Sequence, residues 1–467
     1  MTDCRSASDQ YRCRVRMRRH MPAQLVCLGR HTLTAVKATA GEPFSDWSSD
    51  YRLYSRERFD PQAVFDVVRR RIEQTVDAQR PLIVAMDDSL LRKRGRKIHG
   101  VGYRRDPLGP PFQTNLVLGQ RVLQVSAALT GPTPSSMRMI PIDFVHVPTP
   151  AKPSRKADST QWAAYRQAQD RSRISRHGLQ RIIGLRDRLD KDGADQRRLL
   201  VVVDGRFTNR NVMRSLPPRT VFIGRIRGDA VLYHLPEPPA GAPGRRRIYG
   251  PQALTPEQLR QSQDHPWQEV PAWACGRTHA FRVKRLRPLR WRTTSDQVDV
   301  QIIAIAPLGY RLSKQGRVLY RQPAYLVCTD PDLPLQEVLQ AYLWRWDIEV
   351  NFRDEKTLLG VGQAQVRVPA STQTVPALTV AAYSLLLLAA QAAFPASSGC
   401  LPPPKWRTRR ADQRPSLSDL VSLLRHDLWA DAIRLPRFSH FTSTPSQTMK
   451  SEKLPPSLHG ALFYAPA

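Results

Sequence analysis

The chain is poor in cysteine and in acid. Its 467 residues include 6 cysteines, Cys4, Cys13, Cys27, Cys275, Cys328 and Cys400. They form no CxxC pair and no His–Cys ligand spacing, which argues against a thiolate zinc site or a disulfide scaffold and for a reducing, cytoplasmic setting. The N-terminal MTDCRSASDQYRCRVRMRRH has no apolar core, so no signal peptide is expected. Long apolar runs are also scarce. One stretch, PALTVAAYSLLLLAAQAAF (376–394), approaches bilayer length, but it carries Pro376, Tyr383, Ser384 and Gln391 and stands alone. It reads as a buried core helix, and no membrane partner is expected.

The shortage of acid is the more informative one. Asp and Glu total 40 against 72 Lys and Arg, a formal charge of +32. Such an excess in a chain with 41% hydrophobic residues suggests a globular protein with a polyanionic partner, most simply nucleic acid. Charge alone argues for binding, not chemistry. Three basic patches are candidate phosphate contacts: RKRGRK (92–97), RVKRLRPLRWR (282–292) and KWRTRR (405–410).

Along the chain, residues 1–80 read as a small helical region, a candidate for binding DNA ends, in which DPQAVFDVVRRRIEQTV is the clearest helix. PLIVAMDDS (81–89) is a short apolar run ending in acid, the pattern of a buried strand. TNLVLGQRVLQVSAAL (114–129) and MRMIPIDFVHV (137–147) are further strands, 160–192 is charged and helical, and RRLLVVVDGR (197–206) is another buried strand ending in Asp204. This order predicts an α/β core over 81–206 and 333–395, with helices covering a mixed sheet. Residues 207–332, rich in Trp, Pro and alternating runs, read as an inserted, mainly β subdomain. Residues 396–467 read as a basic Pro-rich linker, a final helix opened by a Ser416–Asp419 capping box, and a polar tail.

Two strands therefore end in acid, at Asp87 (with Asp88 beside it) and at Asp204. If they are neighbours, both carboxylates meet at one edge of the sheet, where α/β proteins hold ligands. Between them and the C-terminus lies QAYLWRWDIEVNFRDEKTLLG (340–360). At about 100° per residue, Tyr342, Arg345, Glu349 and Lys356 fall within roughly 60° of one helical face. Alone, that stripe reads as a surface ion-pair ladder. With Glu349 as a third carboxylate beside Asp87 and Asp204, the oxygen-only set suits Mg²⁺. Two such ions would activate a water or a 3′-hydroxyl at a phosphodiester.

The spacing Tyr342-x2-Arg345-x3-Glu349-x6-Lys356 resembles the Tyr-Arg-Glu-Lys signature of DDE transposases of bacterial insertion sequences. VAMDDS with the basic loop after it, and LLVVVDGRFTN, resemble that family's first two motifs. The resemblance covers roughly residues 80–395. It implies an RNase H-like fold and a metal-binding triad of Asp87, Asp204 and Glu349, with Asp87 chosen over Asp88 because Ser89 stands two residues on. It further implies two Mg²⁺ ions, replaceable by Mn²⁺, and Tyr342, Arg345 and Lys356 on the phosphates of the transposon end. The implied partners are double-stranded DNA, as inverted repeats and target, and further copies of the chain in a homodimer or larger synaptic assembly. Related transposases excise through a DNA hairpin whose flipped base stacks on a Trp of the insertion. Trp291, with Arg287, Arg290 and Arg292, is the candidate here. The rival readings are a stand-alone nuclease on the same fold and a domesticated relative that only binds DNA.

Overall fold

The structure, a computed structural model, describes residues 6–106, 109, 112–131, 134–237, 247–313, 315–393, 414–430 and 462. The patch at 405–410 and the polar tail lie outside the described residues. Four helices come first: Tyr11–Val26 (α1), Leu33–Thr39 (α2), Ser48–Ser55 (α3) and Pro61–Thr75 (α4). Asp60 caps α4 by accepting from the Gln62 amide, and Pro61 sits in the first turn, where a missing N–H is harmless. Val64, Phe65, Val68 and Ile72 then form one buried stripe.

The first strands are Leu82–Arg92 (β1), Gly102–Arg105 (β2), Leu116–Leu129 (β3) and Arg138–Val147 (β4), followed by helices Ser159–Arg171 (α5) and Ile174–Lys191 (α6). Leu199–Val203 (β5), a short helix Arg210–Met213 (α7) and Thr220–Arg225 (β6) continue the chain. β1 pairs antiparallel with β3 and parallel with β5, and β5 pairs parallel with β6. β5 is Leu-Leu-Val-Val-Val, buried on both faces, as a central parallel strand must be.

Next come Tyr233–His234 (β7), Pro256–Gln261 (α8), Gln268–Ala274 (β8), Arg277–Arg290 (β9), Asp299–Ile305 (β10), Gly309–Tyr310 (β11), Leu319–Tyr320 (β12) and Ala324–Cys328 (β13). The segment 207–332 is mainly β, and most of its strands extend the central sheet. The order β2-β3-β1-β5-β6-β13-β10-β9-β7, with β4 beside β3 and β8 beside β9, makes eleven strands among the described residues. This mixed, helix-flanked sheet is consistent with an RNase H-like fold.

The last helices are Leu335–Trp344 (α9), Trp346–Thr357 (α10), Pro369–Ala393 (α11) and Leu417–Trp429 (α12). The stripe read over 340–360 supposes one continuous helix, and here the structure corrects it: the helix parts at Arg345. The Arg345 amide bonds to Tyr342 and its carbonyl accepts from Ile348, two three-residue spans that tighten the turn. Apolar clusters cover both faces of the sheet. Leu200, Val202, Ile223 and Leu326 meet Val338, Leu339 and Ala341 of α9. Leu199, Val201 and Val203 face the larger core, which includes α4 and α11. α11 is long and apolar enough to cross a membrane, yet it packs against β4, α4, α1 and α3, as expected of a core helix. Ser416 and Asp419 form both bonds of the capping box that opens α12.

Candidate active site

Parallel register brings the first two acids together. Met86 of β1 pairs with Val203 of β5, so Asp87 and Asp204 stand side by side one step beyond the paired residues. Alternation then decides which of two adjacent acids faces α10. Asp87 does: its carboxylate takes an Arg345 nitrogen at 3.0 Å. Asp88 points to the other face, where Arg121 reaches it at 2.8 Å and Arg206 at 3.2 Å.

Glu349 is brought in by the anchoring of α10. On the buried side of that helix, Asp347 accepts from the Met139 amide at 2.9 Å. Asn351 donates to Ser126 and to the Met139 carbonyl, and accepts from Tyr383 at 3.1 Å. With that side fixed to β3, β4 and α11, the opposite side turns to the sheet edge. There the second Arg345 nitrogen lies 3.0 Å from Glu349, so one guanidinium joins Asp87 to Glu349. Tyr342 lies under the same group, 5.8 Å from ring centre to guanidinium carbon. Lys356, two turns on, donates to Ser89.

Burial pushes the Asp87 carboxyl up to about 7; the Asp204 charge adds to the rise and Arg345 opposes it. Asp88 is paired with two arginines and adds a smaller push in the same direction. Asp87 thus stands beside a second carboxylate while sharing its one bridging arginine with Glu349.

Asp87 and Asp204 open into a cleft of 1520 Å³ lined also by Asp88, Lys356 and a run of cations; Glu349, Arg345 and Tyr342 are not in its lining. The patch at 92–97 is part of it: Arg94 lines the wall, Arg92 pairs with Asp106 at 2.7 Å, and Lys93 donates to the Gly362 and Ala364 carbonyls. Gly362 permits this contact, because its φ is +96° and a Cβ would meet Leu91 at 2.9 Å. Arg104, Arg121 and Arg206 also line the cleft and were not singled out from the sequence. Their one signal is an arginine within an otherwise apolar strand or directly after an acid-ended one.

The patch at 282–292 is arranged differently. It lies on and just after β9, and its cations are mostly committed within the protein. Lys284 donates to the Arg260 and Ser262 carbonyls, Arg287 pairs with Asp332, and Arg290 pairs with Asp299 at 2.8 Å. Arg292 lies 5.9 Å over Tyr249. The structure therefore does not gather Arg287 and Arg290 with the acids. Trp291 is nearer: it lines a cavity shared with Gly205, Thr208 and Arg225, residues that follow Asp204 and end β6.

A family model described as DDE superfamily endonuclease matches residues 6–297, more than half of the chain. The chain belongs to the DDE superfamily endonucleases. The matched span of this DDE endonuclease includes Asp87 and Asp204 and ends before Glu349. No protein of curated function matches it significantly.

The family generally uses divalent metal ions, and the residues present can be tested against one. Asp87 and Asp204 fit, because a hard cation takes oxygen ligands and relieves two adjacent carboxylates short of counter-charge. Glu349 meets the pair only through Arg345: among the described residues, no three carboxylate, imidazole or thiolate groups stand close enough to share an ion.

Proposed function

We propose that this DDE endonuclease is the transposase of an insertion sequence, cutting DNA at the element's ends and joining the freed 3′ ends to a target. The observation that carries the reading is the pair Asp87 and Asp204, adjacent on parallel strands at the floor of a basic cleft. A protein that only binds DNA gains nothing from buried carboxylates facing its ligand.

Asp87 and Asp204 would hold divalent metal, with Mg²⁺ the natural ion and Mn²⁺ a substitute, and Glu349 would complete the ligand set. When bound, two such ions would activate the attacking water or 3′-hydroxyl and stabilise the leaving oxygen. The protein's own groups do the rest. Arg345 opposes the upward push on the Asp87 carboxyl and holds it in line with Glu349. Lys356, Arg121 and Arg206 bind phosphates on either side of the reacting one, the arginines as forks and the lysine as a point charge. Tyr342 donates its phenol to a phosphate oxygen. Joining two ends to one target requires a homodimer or larger synaptic assembly on DNA.

The test is a cleavage and strand-transfer assay on the DNA that flanks the gene. Asp87→Asn, Asp204→Asn and Glu349→Gln each lose Mg²⁺- or Mn²⁺-dependent cleavage by at least about 10³-fold, while DNA binding survives. Normal cutting by Glu349→Gln would exclude it from the triad. Cleavage without any joining would favour a stand-alone nuclease.

A further inference from the structure

Helix α5 is the odd element of this fold. None of its 13 residues is buried, although an isolated helix of that length is marginal in water. It leaves the sheet at the edge that carries the acids. β4 ends at Val147, paired with Arg121, which in turn is level with Leu90, three residues past Asp87. Just beyond, Thr149 accepts from Arg104 at 3.0 Å. Two residues after α5, α6 begins, and its Gly178 packs on Met86 and Phe207, next to both acid-bearing strand ends. Both ends of the arm are therefore tied to the rim of the cleft, on the face away from α10.

Its chemistry is one-sided. Between residues 152 and 176 stand seven Lys or Arg and two Asp. Asp170 holds Arg173 and Arg176 at 2.9 and 2.6 Å. Among the described residues, Arg155, Lys156, Arg166 and Arg171 form no ion pair. On one stripe of the helix, Trp162 meets Tyr165 edge-on at 5.9 Å, Gln169 donates to the Tyr165 hydroxyl at 2.9 Å, and Lys152 lies 5.9 Å over Trp162. Unpaired cations around a polar aromatic face suit phosphates and sugars. At this face a second copy of the chain fits worse than DNA, because four unpaired cations suit a continuous polyanion better than the surface of another basic chain.

We propose that α5 is a DNA-binding arm that holds the duplex running out of the cleft on the α6 side. The proposal rests on the reading of the Asp87–Asp204 site as DNA-cutting, and it adds where the flanking duplex is held. Fluorescence anisotropy of the full chain with two mixed-sequence duplexes tests it, one several helical turns long and one of a single turn. On the long duplex, R155Q/K156Q/R166Q/R171Q lowers the slope of log affinity against log salt by about 3, near one unit per lost phosphate contact. On the single-turn duplex, held by the cleft, binding stays within about twofold. A control lacking four arginines of the helical layer, R12Q/R18Q/R70Q/R71Q, keeps the wild-type slope. An unchanged slope in the α5 variant overturns the proposal, as does an equal fall in the control, which would reflect net charge alone. Unchanged DNA binding with altered sedimentation would instead make α5 a contact between copies. If the wild type binds neither duplex, the DNA-cutting reading itself falls.

Discussion

Arg345 reaches Asp87 with one guanidinium nitrogen and Glu349 with the other, each at 3.0 Å. Both Arg345 and Asp87 are largely buried, at 11% and 15% side-chain exposure, so the arginine acts as the internal counter-ion of an acidic site. Arg345→Gln leaves Asp87 beside Asp204 with little compensation. Removing one partner of a buried pair costs roughly 3–5 kcal/mol, and the exposure that remains puts this variant at the lower end. Mg²⁺ should replace the lost charge, so calorimetry in millimolar Mg²⁺ should show a larger rise in Tm for the variant than for the wild type. The rise should fade as the pH falls and Asp87 takes up its proton, near 7 in the wild type and at higher pH in the variant, which lacks the arginine that opposes the rise. Equal Mg²⁺ responses in the two proteins would sink the counter-ion role.

Asp87 and Asp88 line one cleft but turn to different partners, Asp87 to Arg345 and Asp88 to Arg121 and Arg206. Asp87→Asn should abolish metal-dependent cleavage, whereas Asp88→Asn should retain activity within about tenfold, because it loosens Arg121 and Arg206 without touching the metal ligands. Parallel cleavage assays decide it. Comparable loss in both variants would mean that the positions of Arg121 and Arg206 matter as much as the acids.

Part of this was legible in the sequence. Apolar runs ending in acid marked β1 and β5, because a parallel strand buried on both faces needs a continuous run; in β1 the acid marks only the end of the parallel pairing, since the strand runs on past Asp87 and Asp88 to Arg92 against β3. The helical face of Arg345 and Glu349 was legible from spacing, although the parting at Arg345 was not, since it depends on a tightened turn with no proline or glycine to announce it. The patch at 282–292 illustrates the opposite case. A run of cations looks alike whether it meets phosphate or carboxylate, and only the strands beside β9 and the 330–333 turn show that most of it is committed inside the protein. Arg121 and Arg206 escaped notice for a related reason: strand register brings Arg121 to the cleft, and the turn after β5 brings Arg206.

Glu355 gives a pH-dependent stability. It is fully buried against β3, and burial pushes its carboxyl up to about 8, opposed by a bond from Gln124 and by the Lys356 charge. A folded value above the ordinary 4.5 means that the native state keeps a proton that the unfolded chain gives up. The associated stability is complete below about 4.5 and is lost as the pH rises through about 8. Glu355→Gln does not titrate, so its stability relative to wild type should improve steadily across that window, by a few kcal/mol at most. Denaturant midpoints measured at several pH values test the sign. A difference that does not vary with pH would show that Glu355 ionises freely in the fold.

Trp291 is the remaining residue whose role divides sharply between structure and function. Its carbonyl accepts from the amides of Thr294, Ser295 and Asp296, which fixes the turn after β9, and its half-buried indole packs against the main core. The same indole lines the cavity that continues from Asp204 through Gly205 and Thr208 to Arg225. If the duplex is cut at Asp204, a base turned out of it can stack on this indole, and stacking is worth about 1–3 kcal/mol per base. Trp291→Ala should therefore leave first-strand nicking near the wild-type rate and slow the following hairpin step by about ten- to a hundred-fold. Trp291→Phe, which keeps an aromatic face, should recover much of it. Nicked and hairpin products resolved on denaturing gels, with Tm measured alongside, separate the alternatives. Equal loss of both products with a lowered Tm would make Trp291 a packing residue, and a wild type that forms no hairpin would mean that excision runs by another route.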